Sequence, residues 1–162
     1  MLIQSWVAGD LAQRGIPSVF HQAIQTCSRR GVVRGLHFQW DPPMGKLVRC
    51  LHGSIIDVVV DVRHGSPTLG KHLAVELTAE NRRVIWVPPG FARMAPSRLE
   101  DDTIVLYECT GAHGPGRGYP MERRGLDIRW PDIPPIVSEK DRVAPTLEAW
   151  LADPRSRHFR IE

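Results

Sequence analysis

The segment Ser54-Ile55-Ile56-Asp57-Val58-Val59-Val60-Asp61-Val62-Arg63 decides the fold. Its β-branched residues favour an extended strand over Ser54 to Val62. Side chains alternate across a strand, so Asp57, Asp61 and Arg63 share one face while Val58, Val60 and Val62 face the other way. The polar face is either the solvated outside of a sheet or the lining of a polar barrel interior, with Asp61 close to a catalytic cation or histidine. Outward from this segment the same grammar repeats. Leu47 to Leu51, His72 to Leu77, Arg83 to Val87 and Thr103 to Cys109 read as strands. Turns fall at His52-Gly53, Arg63 to Pro67, Ala79 to Asn81 and Pro88-Pro89-Gly90. With 14 prolines and 14 glycines punctuating short apolar runs, the pattern is all-β, a sandwich or barrel of jelly-roll type. Helix is expected only near the ends, over Val7 to Arg14 and Ala144 to Ala152. No repeat or linker divides the 162 residues, so residues 1–162 are expected to form one domain.

Composition narrows the class. Hydrophobic residues make up 42% and charged residues 24%, as in an ordinary globular domain. No apolar run reaches the roughly 20 residues of a membrane span, and Met1 to Gly9 lacks the form of a signal peptide, so a cytoplasmic protein without membrane contact is expected. The formal charge of +3 is spread among acids without a basic stripe, which argues against nucleic acid and fits attraction of a small anionic ligand. Cys27, Cys50 and Cys109 are an odd set without C-x-x-C spacing, read as reduced thiols.

The reactive residues point to proton abstraction. A metal needs two or three converging His, Asp or Glu ligands. His37-Phe38-Gln39 offers one histidine, and Phe91-Ala92-Arg93 puts a cation where a cupin-type barrel supplies its last histidine. A site without metal is expected. No G-x-S-x-G elbow is present, and Gly114-Pro115-Gly116-Arg117-Gly118 precedes no helical segment, so it reads as a surface loop. What remains is the stretch from Gly31 to Arg49, holding Arg34, His37 and Lys46. His37 suits removal of a proton beside a carbonyl, Lys46 suits the resulting oxyanion, and Arg34 suits a phosphate. Lys46 shares a strand face with Val48 and Cys50, which would aim it into a barrel mouth.

These residues stand in motifs that resemble the dTDP-4-dehydrorhamnose 3,5-epimerase family. They are Gly31-Val-Val-Arg-Gly-Leu-His-Phe-Gln39, Gly45-Lys-Leu-Val-Arg49, Asp57 to Arg63, Gly65-Ser-Pro-Thr68 and Leu77-Thr-Ala-Glu-Asn-Arg82. Trp86-Val-Pro-Pro-Gly-Phe-Ala92 and Ile136-Val-Ser-Glu-Lys-Asp141 complete the set, in order from about residue 18 to about residue 147. The resemblance implies a cupin-like jelly roll, usually a homodimer, and a cofactor-independent reaction on a nucleotide-linked 4-keto-6-deoxy sugar. It makes His37 the base, Lys46 the enolate stabiliser, Asp61 a polar member of the pocket, Arg34 a phosphate ligand, and Gln22 and Gln39 substrate contacts.

The chain also departs from the family pattern. His113 falls where the family has its proton-donating tyrosine, and Arg93 replaces a pocket histidine. Glu122 is the nearest replacement for the aspartate that orients the base. Gln22-Ala23-Ile24 stands for Gln-Asp-Asn, and the family's N-terminal Asp-x-Arg-Gly element has no counterpart. The expected activity is epimerisation at one or both carbons flanking the ketone, with His113 or water returning the proton. The alternatives are an isomerase or cyclase that uses the same half-site on another carbonyl compound, and an inactive binding or scaffold protein.

Overall fold

The computed structural model describes residues 2–96, 101–114, 118–121 and 134–160. Two sheets face one another in a cupin-like jelly roll. The smaller holds β1 (Gln22–Ser28), β8 (Thr103–Cys109), β3 (Lys46–His52) and β6 (Val84–Val87), in that spatial order. The larger runs β10 (Ile136–Val137), β2 (Val32–Gln39), β7 (Phe91–Pro96), β4 (Ser54–Asp61) and β5 (His72–Thr78), and β9 (Gly118–Pro120) also pairs with β2. Neighbours are antiparallel except β10, which lies parallel to β2 with Ile136 opposite Val32.

Alternation places each side chain. In β8, Thr103, Val105, Tyr107 and Cys109 are buried and turn inward. Val48 and Cys50 from β3 join Val59 from β4 in that interior, which is apolar over most of its length. The Val58, Val60 and Val62 face is also covered. It packs with Leu36, Phe38, Ala92 and Met94 against Trp150 and Phe159 from the C-terminal segment. Trp150 is fully buried, meets the Phe38 ring at 4.7 Å and donates from Nε1 to the Val62 carbonyl at 3.1 Å. Both faces of β4 are therefore buried, and the solvated-face reading of Asp57 and Asp61 does not hold.

The ends are helical. α1 spans Ala8–Gln13, α2 Glu139–Arg142 and α3 Leu147–Ala152, and a 3-10 turn covers Pro154–Phe159. The last α-helix begins at Leu147, not at Ala144, because the Thr146 hydroxyl accepts from the Ala149 amide at 3.1 Å and sets the cap. The N-terminal segment covers the outside of the smaller sheet, where Trp6 Nε1 donates to Glu108 Oε2 at 2.7 Å and the Trp6 ring packs edge-on to Phe20. Gly35 has φ +119°, and a Cβ there would lie 2.4 Å from the Arg93 carbonyl. Only glycine lets β2 approach β7 this closely, and the ladder is irregular between Arg34 and His37. None of the described helices is long and apolar enough to cross a membrane.

Candidate active site

Between the sheets, at the end where β2, β3 and β8 converge, lies a cavity of about 610 Å³ lined by His37, Lys46, Arg93, Tyr107 and His113 among others. His37 stands on β2 directly opposite Arg93 on β7, and Arg93 is in turn opposite Val59 on β4. Side chains paired in this way project from the same face. From the other sheet Lys46 sits opposite Cys109 and Val48 opposite Tyr107. The start of β3 is fixed by Gly45, whose amide donates to Thr110 Oγ1 at 2.9 Å and whose carbonyl accepts from the Thr110 amide at 3.0 Å.

The carboxylate on His37 is Asp141. Its Oδ1 lies 2.5 Å from His37 Nε2, and its Oδ2 accepts from the Gly35 amide at 3.4 Å. Ser138 caps α2 by accepting from the Asp141 amide at 3.2 Å, so the backbone of Asp141 is pinned while its side chain, 4% exposed, turns inward. With Nε2 engaged by the carboxylate, the second ring nitrogen is left as the basic atom. Burial pulls the His37 pKa below its ordinary value. Asp141 acts upward, and Lys140 and Lys46 act downward. The imidazole is thus neutral and available as a base at neutral pH. Lys46 is also shifted down, by burial first and then by the neighbouring Arg93 charge.

Asp61 is placed differently from expectation. It is buried, but its carboxylate accepts from Arg63 Nη2 at 2.7 Å, Ser66 Oγ at 2.6 Å and Thr68 Oγ1 at 2.7 Å, and it does not line the cavity. It closes the turn that follows β4. These bonds, above all those from Arg63, outweigh burial and hold its carboxyl well below the usual carboxylate range. The carboxylate that does reach the interior near Lys46 is Asp57, four residues earlier on the same face. Asp57 is fully buried and lies against Arg93, whose Nε donates to Oδ2 at 2.8 Å. Burial raises the Asp57 pKa against the pull of Arg93 and Lys46. Burial also works against the Arg93 charge, but Asp57 and Tyr107 prevail and the guanidinium stays protonated.

The remaining expected residues divide. Arg34 is exposed on the cavity wall, with Nε donating to Ser28 Oγ at 3.1 Å. Gln39 is buried on the cavity and donates to the carbonyls of Pro42 and Ala112 at 3.1 and 3.2 Å. Gln22 is set back from the cavity; its Oε1 accepts from the His113 amide at 2.7 Å and tethers that loop. His113 is exposed at the rim, and Glu122 lies outside the described residues. Among the described residues no group of three or more His, Cys, Asp or Glu side chains converges as metal ligands do. Sequence reasoning assigned no role to Asp141 or Asp57. Asp141 could have been singled out by the Ser138-Glu-Lys-Asp141 cap pattern, and Asp57 only by its parity with Asp61.

The chain and its fold have known relatives. Residues 1–149 match the family model described as dTDP-4-dehydrorhamnose 3,5-epimerase. A protein of that description from Methanothermobacter thermautotrophicus is 43% identical over 137 residues, covering 80% of this chain and 72% of the relative. Across four curated relatives of that description the match spans 62% to 72% of their length. The crystal structure of a Legionella pneumophila dTDP-6-deoxy-D-glucose-3,5-epimerase, in complex with dTDP-4-keto-L-rhamnose, superposes with a TM-score of 0.87. It is 36% identical, and the match covers 94% of this chain and 82% of that one. A 3'-monoepimerase from Streptomyces bikiniensis, solved with dTDP-quinovose, gives a TM-score of 0.85 at 34% identity, over 91% of this chain and 76% of that one. With the family model matched over nearly the whole sequence, the chain belongs to the dTDP-4-dehydrorhamnose 3,5-epimerase family.

Proposed function

We propose that this chain is an epimerase acting on the carbon next to the ketone of a nucleotide-linked 4-keto-6-deoxy sugar, without a cofactor. The observation that carries the proposal is the His37–Asp141 pair, 2.5 Å apart, in a cavity that Lys46 also lines. The neutral imidazole takes the proton from the C–H bond adjacent to the ketone. That electron pair forms the C=C bond of an enolate while the carbonyl π pair moves onto oxygen. Lys46, a cation in a low-dielectric interior, stabilises that oxygen, and Asp141 stabilises the imidazolium. Return of a proton to the opposite face inverts the carbon; His113, at the cavity rim, is the residue we assign to this step, directly or through water.

Arg34 holds the diphosphate at the mouth, Gln39 and Arg93 complete the sugar pocket, and Gln22 acts by fixing the His113 loop. Family membership supports a homodimer, and a cytoplasmic location is part of the same proposal. A scaffold without activity would have no use for a buried carboxylate held on a cavity imidazole, which disfavours that alternative. The test is solvent deuterium exchange into dTDP-4-keto-6-deoxyglucose followed by proton NMR. Exchange at one carbon indicates a monoepimerase and at two a 3,5-epimerase, whereas absence of exchange would reject the activity.

A further inference from the structure

Three strands meet at Lys46, which stands on β3 opposite Cys109 of β8 and opposite Val87 of β6. The stretch from Ser5 to His21 touches all three from the face of the sheet that turns away from the cavity. On β3, Arg49 Nη1 donates to Ser5 Oγ. On β8, Glu108 Oε2 accepts from Trp6 Nε1 at 2.7 Å, and the Cys109 carbonyl accepts from the His21 amide at 2.8 Å. On β6, the Trp86 ring stands edge-on to Phe20 at 6.5 Å, and Phe20 stands edge-on to Trp6 at 5.5 Å. Leu47 follows Lys46 and faces outward by alternation. It pairs with both Trp86 and Glu108 and is 3% exposed. Trp86 also rests on the residue before Lys46. A Cβ on Gly45 would lie 2.3 Å from the indole, so only glycine lets the ring press on the backbone there.

We infer that Trp6, Phe20 and Trp86 are positioning residues for Lys46, an aromatic brace on the outer face that fixes the start of β3 and with it the place of the ammonium in the cavity. The effect on rate rests on the enolisation reading given above; the effect on Lys46 itself does not. The physical reason is that a donor stabilises a developing oxyanion best when it is held in place before the charge appears. Lysine brings a flexible four-carbon stem and no rigidity of its own, so the backbone beneath it and the walls around it must supply that placement. The brace holds the residue on each side of Lys46, Gly45 and Leu47, together with both neighbouring strands. None of its three rings lines the cavity, so it acts through Lys46 and not on the substrate.

Trp6→Ala tests the assignment, because it removes the Glu108 bond and the Phe20 contact and changes no charge. The kcat for deuterium exchange into dTDP-4-keto-6-deoxyglucose is expected to fall about 10- to 100-fold, the cost of a misplacement of roughly 1 Å, with KM and dTDP affinity within twofold of wild type. Asp61→Asn, which loosens the turn after β4, is the stability control and is expected to keep kcat within threefold. A kcat within threefold in Trp6→Ala, or an equal loss in Asp61→Asn, would overturn the inference. If Trp6→Ala does not fold, Phe20→Leu removes the ring that joins Trp6 to Trp86 and is read by the same criterion. A second arm needs no sugar: lysine side-chain ¹⁵N NMR follows the titration of Lys46. Arg93, Asp57, Cys109 and His37 are the charged or titratable groups that face it, and β6 faces it with Val87. Burial first and Arg93 second hold Lys46 below its ordinary value, and Trp6→Ala alters none of these groups. A Lys46 midpoint that rises toward the ordinary value in Trp6→Ala but not in Asp61→Asn supports the brace even if wild type exchanges no sugar, an outcome that rejects the epimerase reading alone. An unmoved midpoint in Trp6→Ala overturns the brace whatever the activity.

Discussion

Asp141→Asn perturbs the pair on which the mechanism turns. The substitution preserves shape and the Ser138 cap, because the cap bonds the Asp141 backbone amide and not its side chain. It exchanges the carboxylate 2.5 Å from His37 Nε2 for an amide. That removes the charge that stabilises the imidazolium, and the amide's own donor can turn the ring to the wrong tautomer. Loss of an orienting carboxylate in a comparable acid–base pair costs up to ~10⁴ in rate. The expected loss here is 10²- to 10⁴-fold, about 3–5 kcal/mol at 1.36 kcal/mol per decade. The pH profile gives the sharper reading. His37 already titrates below its ordinary value because burial outweighs Asp141, and Lys140 and Lys46 push the same way. Without the carboxylate the opposing influence is gone, so the acid limb of the exchange rate moves to lower pH. The assay is initial-rate deuterium exchange across pH, with the thermal midpoint as a fold control. A loss under tenfold, or an acid limb that stays in place or moves up, would refute the reasoning.

Other outcomes follow from particular contacts. Asp61→Asn is expected to lower stability by about 2–3 kcal/mol through the Arg63, Ser66 and Thr68 donors it leaves poorly matched, read by denaturant melts, while exchange activity in the folded fraction persists. Because the folded pKa of Asp61 is depressed, its contribution is present above the ordinary carboxylate range and is lost as pH falls through and below that range; the difference between wild type and Asp61→Asn should shrink accordingly. Gly35→Ala puts a Cβ 2.4 Å from the Arg93 carbonyl at φ +119°, and loss of soluble folded protein, followed by circular dichroism, is expected. His113→Phe should leave deuterium exchange within about tenfold of wild type while inverted product falls by 10² or more, separating proton removal from proton return.

Some of this architecture is plain in the sequence. The strand Thr103–Cys109 is legible to the residue because every second side chain is apolar or small and the run ends at a turn. β2 is harder to read, since Arg34, Gly35 and His37 interrupt its alternation at the irregular ladder. The choice between Asp57 and Asp61 shows a limit of periodicity. Parity puts both on one face, but only the packing of the two sheets decides that Asp57 meets Arg93 while Asp61 closes a turn. Asp141 shows another. Its cap pattern predicts a helix start, yet its contact with His37 spans 104 positions and depends on β10 lying beside β2. The burial of Val58, Val60 and Val62 on the outer face likewise depends on Trp150 and Phe159 returning from the C-terminal segment.

The most direct test of the account compares wild type with His37→Asn in deuterated buffer containing dTDP-4-keto-6-deoxyglucose, watching the protons beside the ketone by NMR. The account predicts that wild type replaces at least one of them with deuterium and that His37→Asn, folded and still binding dTDP, replaces none above the rate in buffer alone. Equal exchange by both proteins, or none by wild type, would contradict it.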